Sequence, residues 1–112
     1  MVVDEQNLET IMGLIINGGN AKSDAMEAIQ AAKKGNFEEA DQKIKDADTS
    51  LTEAHRSQTG MLTKEASGDP VALSLLMVHG QDHLMNAITF RDLAAEVVDV
   101  YKAIAGVSTE QE

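Results

Sequence analysis

The amino-acid sequence predicts an all-α fold, a bundle of three long helices. Its 112 residues include one proline and only 3% aromatic residues, whereas the helix-favouring residues Ala, Leu, Glu, Lys, Gln and Met are abundant. Residues that end one helix and start another stand at two places, Gly35-Asn36 and Gly68-Asp69-Pro70. A chain of this length is expected to form one domain over residues 1–112.

The first predicted helix covers about residues 4–34. Lys33 and Lys34 suit a last helical turn, and Gly35 can adopt the left-handed conformation that follows one. Gly18-Gly19 interrupts the helix, and each internal glycine costs about 1 kcal/mol relative to alanine. We expect either a kink or, as the interpretation we favour, close packing of another backbone at this pair. The apolar stripe comprises Leu8, Ile11, Met12, Ile15, Ala25 and Ile29.

The second predicted helix covers about residues 37–67. Asn36 and Glu39 are spaced as in a capping box, in which the first side chain caps the helix. Residues on one face recur in steps of three and four, as in an amphipathic helix. They are Phe37, Ala40, Ile44, Ala47, Leu51, Ala54, Gln58 and Met61.

The third predicted helix covers about residues 70–105, with Asp69 as its cap and Pro70 at its first position, and an acidic tail follows from Gly106. Between Val71 and Phe90 the only Asp, Glu, Lys or Arg is Asp82. A helix that is apolar nearly all round is normally buried, and a three-helix bundle covers one face only. The residues concerned include Leu73, Leu76, Leu84 and Ile88. The sequence therefore predicts a closed homo-oligomer.

Composition excludes several classes of function. The formal net charge is −10, from 19 acidic and nine basic residues, which argues against binding to nucleic acid or to anionic membranes. There is no cysteine, which excludes disulfides, thiolate nucleophiles and cysteine-based metal sites. No apolar run reaches the ~20 residues of a transmembrane helix, and the N-terminus lacks the basic start of a signal peptide. We expect a cytoplasmic protein.

The apolar third helix contains His79-Gly80-Gln81-Asp82-His83. His79, Asp82 and His83 are spaced i, i+3 and i+4 and so share one face. An unpaired carboxylate there would be costly, so Asp82 needs a histidine, a metal ion or water as a partner. We expect Gly80 to leave the flank of the His79 imidazole open.

Two interpretations of His79 follow from these residues. It is either a core histidine beside a packing glycine or a nucleophile, since neutral imidazole is nucleophilic near pH 7. A metal site alone is a weak interpretation, because one helix supplies at most three ligands. His55, on the second helix, is expected to face solvent or to have a structural role.

The run Val78-His79-Gly80-Gln81-Asp82-His83-Leu84-Met85 resembles the active-site segment of the lactose/cellobiose family of enzyme IIA, a component of the bacterial phosphoenolpyruvate-dependent sugar phosphotransferase system. Three further stretches resemble the same family, so that the similarity extends from about Leu8 to Lys102. They are Ile15-Ile16-Asn17-Gly18-Gly19-Asn20-Ala21, Ala31-Ala32-Lys33-Lys34-Gly35-Asn36-Phe37 and Glu53-Ala54-His55-Arg56-Ser57-Gln58-Thr59.

The resemblance implies a homotrimer of antiparallel three-helix subunits, a nine-helix bundle. It implies that His79 accepts a phosphoryl group from phosphorylated HPr and passes it to the cysteine of enzyme IIB, for uptake of lactose, cellobiose or a related β-linked disaccharide. It also implies that three copies of Asp82 meet at the trimer axis around one divalent metal ion, magnesium. Three converging carboxylates would otherwise repel one another strongly, and oxygen ligands suit a hard cation.

Phosphoryl transfer also needs hydrogen-bond donors around the phosphoryl oxygens. Backbone amides in the middle of a helix do not supply them, so we expect Gln81, His83 or residues of a neighbouring subunit to do so.

Two other functions stay open from the sequence. A histidine phosphotransfer module of two-component signalling is also a helical bundle, but such modules typically have a basic residue where this chain has Asp82. A structural helical oligomer could use the buried polar residues to fix its register.

Overall fold

A computed structural model describes residues 5–107 of the chain. It contains three helices, α1 (Glu5–Lys33), α2 (Phe37–Ala66) and α3 (Leu75–Ala105). Together they form an elongated body of 55 × 23 × 16 Å. The predicted all-α fold of three long helices is confirmed. The predicted tail beyond Val107 lies outside the described residues.

The three helices run up, down and up. One core cluster joins Ile11 and Leu14 of α1 to Met61 of α2 and Met77 of α3. The start of α1 therefore lies beside the end of α2 and the start of α3. A second cluster at the opposite end joins Ala28 and Ala32 of α1 to Ala40 of α2 and Val98 of α3. Helix α1 contacts both other helices extensively, and α2 and α3 contact each other less.

Each helix ends at a glycine in the left-handed conformation. Gly35, Gly68 and Gly106 have φ angles of 82°, 92° and 75°. At the end of α1, the N–H of Gly35 donates to the Ala32 carbonyl at 3.0 Å and the N–H of Asn36 to the Ala31 carbonyl at 2.9 Å. This pair of bonds is a Schellman motif, which satisfies carbonyls that the helix end leaves free. The role predicted for Gly35 is confirmed.

Two predicted caps are wrong. The side chain of Asn36 makes no capping hydrogen bond to α2, and its backbone, at φ −90° and ψ 73°, is not in the extended conformation typical of a capping residue. Helix α3 begins at Leu75 rather than near Pro70. The N–H of Asp69 is used at the end of α2, on the Lys64 carbonyl at 2.9 Å. Ser74 caps α3 instead, since its hydroxyl accepts from the Met77 N–H at 3.0 Å.

The predicted stripe of α2 is confirmed, with Ala40, Ala47, Ala54 and Met61 all buried. The stripe of α1 differs from the prediction, because Leu8 and Met12 are exposed. The side of α1 that faces the other two helices has two large residues near its start and alanines further along, where small side chains allow the helices to approach closely. Its fully buried residues are Ile11, Leu14, Ala21, Ala25 and Ala28.

Helix α3 keeps many apolar side chains exposed on the single chain, as its composition predicts, but most of them are not the residues named from the sequence. Of those four, Leu73 is exposed, whereas Leu84 is fully buried and Leu76 and Ile88 pack against the core. Leu75 is 86% exposed and Ile104 77%. Val78, Met85, Leu93 and Val100 are each more than half exposed. Exposed apolar residues in such number along one helix are typical of a contact with another molecule.

Candidate functional site

The candidate site lies on the first three turns of α3. His79 and Asp82 are exposed, and His83 is partly buried toward α1. Their spacing puts all three side chains on the same side of α3, as the sequence predicts. The neighbouring exposed residues Leu75, Val78 and Met85 are apolar, so the site is a small polar group within an apolar surface.

The imidazole rings of His79 and His83 contact each other edge to face. Their centroids are 4.5 Å apart and their planes meet at 84°. His83 Nδ1 has essentially no exposed surface and no hydrogen-bond partner among the described residues. The inner edge of the His83 ring is therefore closed to solvent, while the His79 ring faces outward.

Gly18 of α1 lies close to the backbone of His83. A Cβ atom added to Gly18 would lie 3.2 Å from the His83 carbonyl oxygen and 3.3 Å from its carbonyl carbon. A Cβ added to Gly19 would meet no atom of residues 5–107 within 4 Å. The close backbone approach expected at the Gly18-Gly19 pair is confirmed, and Gly18 is the residue that permits it.

Gly80 does not leave the flank of His79 open, contrary to the expectation. It is buried, and an added Cβ would lie 3.3 Å from Ile11 Cγ2 and 3.5 Å from Leu14 Cδ1. Gly80 therefore faces α1, where its lack of a side chain lets the two helices pack closely. His79 is exposed because its own position on the helix points away from α1.

Gln81 lies on a different side of α3, against α2. Gln58 Nε2 donates a hydrogen bond to Gln81 Oε1 at 2.7 Å. Gln81 Nε2 lies 3.7 Å from Met61 Sδ and 3.6 Å from Met77 Sδ. The Gln81 amide is therefore bonded to Gln58 between α2 and α3, and the structure does not bring it to His79.

Asp82 is exposed and has one neutral partner. Asn86 Nδ2 donates to Asp82 Oδ1 at 3.0 Å. Within the part of the chain that the structure describes, no group of three His, Cys, Asp or Glu side chains is placed to hold a metal ion. A metal ion on Asp82 would therefore need ligands from other copies of the chain.

Comparison with known proteins identifies the family. Residues 9–102 match the family described as "PTS system, Lactose/Cellobiose specific IIA subunit". The chain belongs to this family.

The family includes relatives that are similar over nearly the whole chain. The lichenan-specific phosphotransferase enzyme IIA component of Bacillus subtilis is 48% identical over 91% of this chain and 93% of its own length. The crystal structure of the cellobiose-specific enzyme IIA from Bacillus anthracis superposes with a TM-score of 0.87, at 45% identity and 96% coverage of both chains.

A third relative was solved together with a partner. It is the IIA(chitobiose)–HPr complex of the N,N'-diacetylchitobiose branch of the Escherichia coli phosphotransferase system. Its matching chain has a TM-score of 0.78, at 35% identity and with coverage of 91% of this chain and 99% of that one.

The third histidine of the IIA chain is on α2. His55 is exposed on α2, as expected, and the structure does not bring it to His79. In the described residues, no helix is both long and apolar enough to span a membrane.

Sequence reasoning missed two features near or beside α3. One is the Gln58–Gln81 pair, which no local pattern indicates because the partners are 23 residues apart. The other consists of two ion pairs between α2 and α3. Arg91 Nε and Nη2 donate to Asp48 at 2.6 and 2.9 Å, and this bonding raises the pKa of Arg91. Lys102 Nζ donates to Asp41 at 2.7 Å.

Proposed function

We propose that this IIA chain is a phosphocarrier that accepts a phosphoryl group on His79 from phosphorylated HPr and passes it to the cysteine of enzyme IIB. The transfer takes place in the cytoplasm and supports uptake of lactose, cellobiose or a related β-linked disaccharide. The observation that carries the proposal is the exposed His79 ring on the apolar surface of α3. The HPr complex of the Escherichia coli relative supports the choice of donor.

The chemistry asks little of the protein beyond positioning. A nitrogen of the neutral His79 imidazole attacks the phosphorus atom of the donor phosphohistidine. A new P–N bond forms as the donor's P–N bond breaks, and the donor imidazole leaves with the electron pair. The thiolate of enzyme IIB then attacks the same phosphorus atom and releases His79. The exposed position of His79 suits this exchange, because both partners must approach in line with the bond that breaks.

The charge near His79 suits a carrier that must release its cargo. No Lys or Arg occurs between Val71 and Phe90, so this part of α3 offers the phosphoryl dianion no permanent counter-charge. A strong ion pair would stabilise the phosphorylated protein and slow its discharge. Of the two residues expected to assist, Gln81 has its amide engaged with Gln58, and His83 contacts the His79 ring.

The proposed active form is a homotrimer with Mg²⁺ at its axis. The exposed apolar residues of α3 supply a surface for self-association, and Asp82 lies among them. The Asp82 carboxylate fits a shared metal site, because it is exposed and only its Oδ1 has a hydrogen bond among the described residues. Three such carboxylates, one from each subunit, would hold the cation, which supplies the positive charge that lets them converge.

The test is phosphorylation by phosphoenolpyruvate, its kinase enzyme I and HPr. We expect the wild-type chain to acquire an acid-labile, base-stable phosphate. His79→Ala should acquire none while keeping its helical content, because an exposed position tolerates alanine. His55→Ala is the matched control and should be labelled as the wild type is. Labelling of His79→Ala at the wild-type rate would overturn the site assignment.

A further inference from the structure

We propose that His83, whose backbone lies against Gly18 of α1, is a positioning residue and that its ring orients the His79 imidazole for phosphoryl transfer. The inference rests on the proposed function for the reaction that His79 performs. The contact itself, an edge-to-face pair of rings with centroids 4.5 Å apart, does not depend on that function.

His79 needs such support because it is exposed. An exposed histidine on a helix can rotate about two side-chain bonds, and each rotamer points the attacking nitrogen in a different direction. In-line transfer requires one direction, and a misplaced reacting atom is costly to the rate. Asp82 bonds Asn86 and Gln81 bonds Gln58, so neither restrains the His79 ring through these contacts.

His83 is held more firmly than His79. Its ring is partly buried, and Nδ1 is sealed from solvent. Its carbonyl group and its own Cβ lie 3.2 to 3.5 Å from the point where a Gly18 Cβ would stand. One turn of α3 earlier, Gly80 rests on Ile11 and Leu14 in the same way. Gly18 and Gly80 therefore allow α1 and α3 to pack closely beside the two histidine rings.

We infer that the His83 ring orients the His79 ring by packing against it and not by a hydrogen bond to the phosphoryl group. One nitrogen of His83 is buried without a partner among the described residues, so that nitrogen is closed off from a phosphoryl group on His79. The alternative is that the other nitrogen, Nε2, donates a hydrogen bond to a phosphoryl oxygen. His83→Phe distinguishes packing from hydrogen bonding, since this variant keeps an aromatic ring and has no hydrogen-bond donor.

The experiment compares four variants by rapid-quench phosphorylation from phosphorylated HPr. His83→Ala should lower kcat by about 10- to 100-fold, within the range for a misoriented reacting group, with little change in KM because the docking surface is intact. His83→Phe should keep most of the rate. Gly18→Ala displaces His83, so its phosphorylation should be slowed as much as that of His83→Ala. Gly19→Ala, the matched control with open space at its Cβ, should be phosphorylated at the wild-type rate.

A second measurement follows the ring without any phosphoryl transfer. In unphosphorylated protein labelled with ¹³C and ¹⁵N at histidine, side-chain couplings and relaxation report the rotamers of His79. We expect one dominant rotamer in the wild type and in His83→Phe, and averaging in His83→Ala and Gly18→Ala. If the wild type is not phosphorylated, the proposed function fails while this measurement still decides on the ring contact.

Three results would overturn the inference. One is a His83→Ala chain with the wild-type kcat. Another is a His79 ring that is as ordered in His83→Ala as in the wild type. The last is a His83→Phe chain as slow as His83→Ala while its His79 ring stays ordered, which would assign the effect to a hydrogen bond from Nε2.

Discussion

An ion pair between Lys102 and Asp41 links α3 to α2 at the end of the molecule away from His79. The side chain of Lys102 is only 3% exposed, and its ammonium group bonds Asp41 at 2.7 Å. A buried ammonium group without a counter-charge is strongly destabilising, whereas replacement of both partners by apolar groups is often neutral. Lys102 and Asp41 therefore act as a pair.

A double-mutant comparison should show this dependence. Asp41→Ala should lower the free energy of unfolding by roughly 3 kcal/mol, at the low end for a buried pair because Asp41 is partly exposed. Lys102→Met combined with Asp41→Ala should recover most of the loss. The measurement is denaturant unfolding at a fixed protein concentration.

The control is the exposed pair of Glu53 and Arg56, whose side chains are 56% and 70% exposed. Glu53→Ala should cost less than about 1 kcal/mol, as for most surface ion pairs. If Asp41→Ala costs no more than Glu53→Ala, the buried pair does not have the role assigned to it.

At the scale of the helices, glycine decides how closely α1 and α3 pack. Gly18 and Gly80 each leave room for atoms of the other helix, at 3.2 and 3.3 Å from the positions of the missing Cβ atoms. At Gly18 the opposing atoms belong to the backbone of His83, which cannot rotate away as a side chain can. Gly19 has open space instead.

Alanine at the two neighbouring glycines should therefore have opposite effects. Gly19→Ala should stabilise the protein by about 0.5–1 kcal/mol, because alanine favours the helix and meets no obstacle. Gly18→Ala should destabilise it by roughly 1–3 kcal/mol, as for overpacking in a core. Thermal melting of both variants checks the signs, and a stabilised Gly18→Ala would show that the helices can move apart without cost.

The molecule as a whole leaves an apolar face of α3 uncovered. Its exposed members run from Leu75 at one end to Ile104 at the other. In the proposed trimer the apolar residues of this face pack around the axis, where the three Asp82 carboxylates meet, and His79 stays at the edge of the contact, where HPr can reach it. The metal ion then binds only the assembled form, and it stabilises that form by mass action.

Chelation should lower trimer stability, and Asp82→Leu should abolish this sensitivity. Removal of the cation leaves carboxylates that repel one another, and a divalent cation should restore the trimer. Leucine removes the repulsion, so the variant should stay trimeric and melt at or above the wild-type temperature, with a gain of up to about 1–4 kcal/mol. Sedimentation and melting with and without chelator measure both effects.

The outcome that would contradict the axial metal is a wild type indifferent to chelator. An Asp82→Leu chain that falls to monomers would also contradict it. Phosphorylation of the variant at His79 is a separate readout, and we expect it to be only modestly altered, because Asp82 is assigned to assembly.

The sequence by itself determined the number of helices, where α1 and α2 end, and the side of α3 that carries His79, Asp82 and His83. These are local properties. Periodicity and the preference of glycine for a left-handed end act within a few residues along the chain. For the same reason the apolar composition of Val71–Phe90 is enough to predict an uncovered surface.

Only the tertiary structure decided which residues meet across helices. Gln81 reaches Gln58 rather than His79, and Gly80 faces Ile11 rather than the His79 ring. Helix α3 begins at Leu75 and is capped by Ser74, while the N–H of Asp69 bonds the end of α2. Each of these outcomes depends on the rotation and spacing of packed helices. Those are set by contacts between residues far apart in the chain, and a local pattern does not contain them.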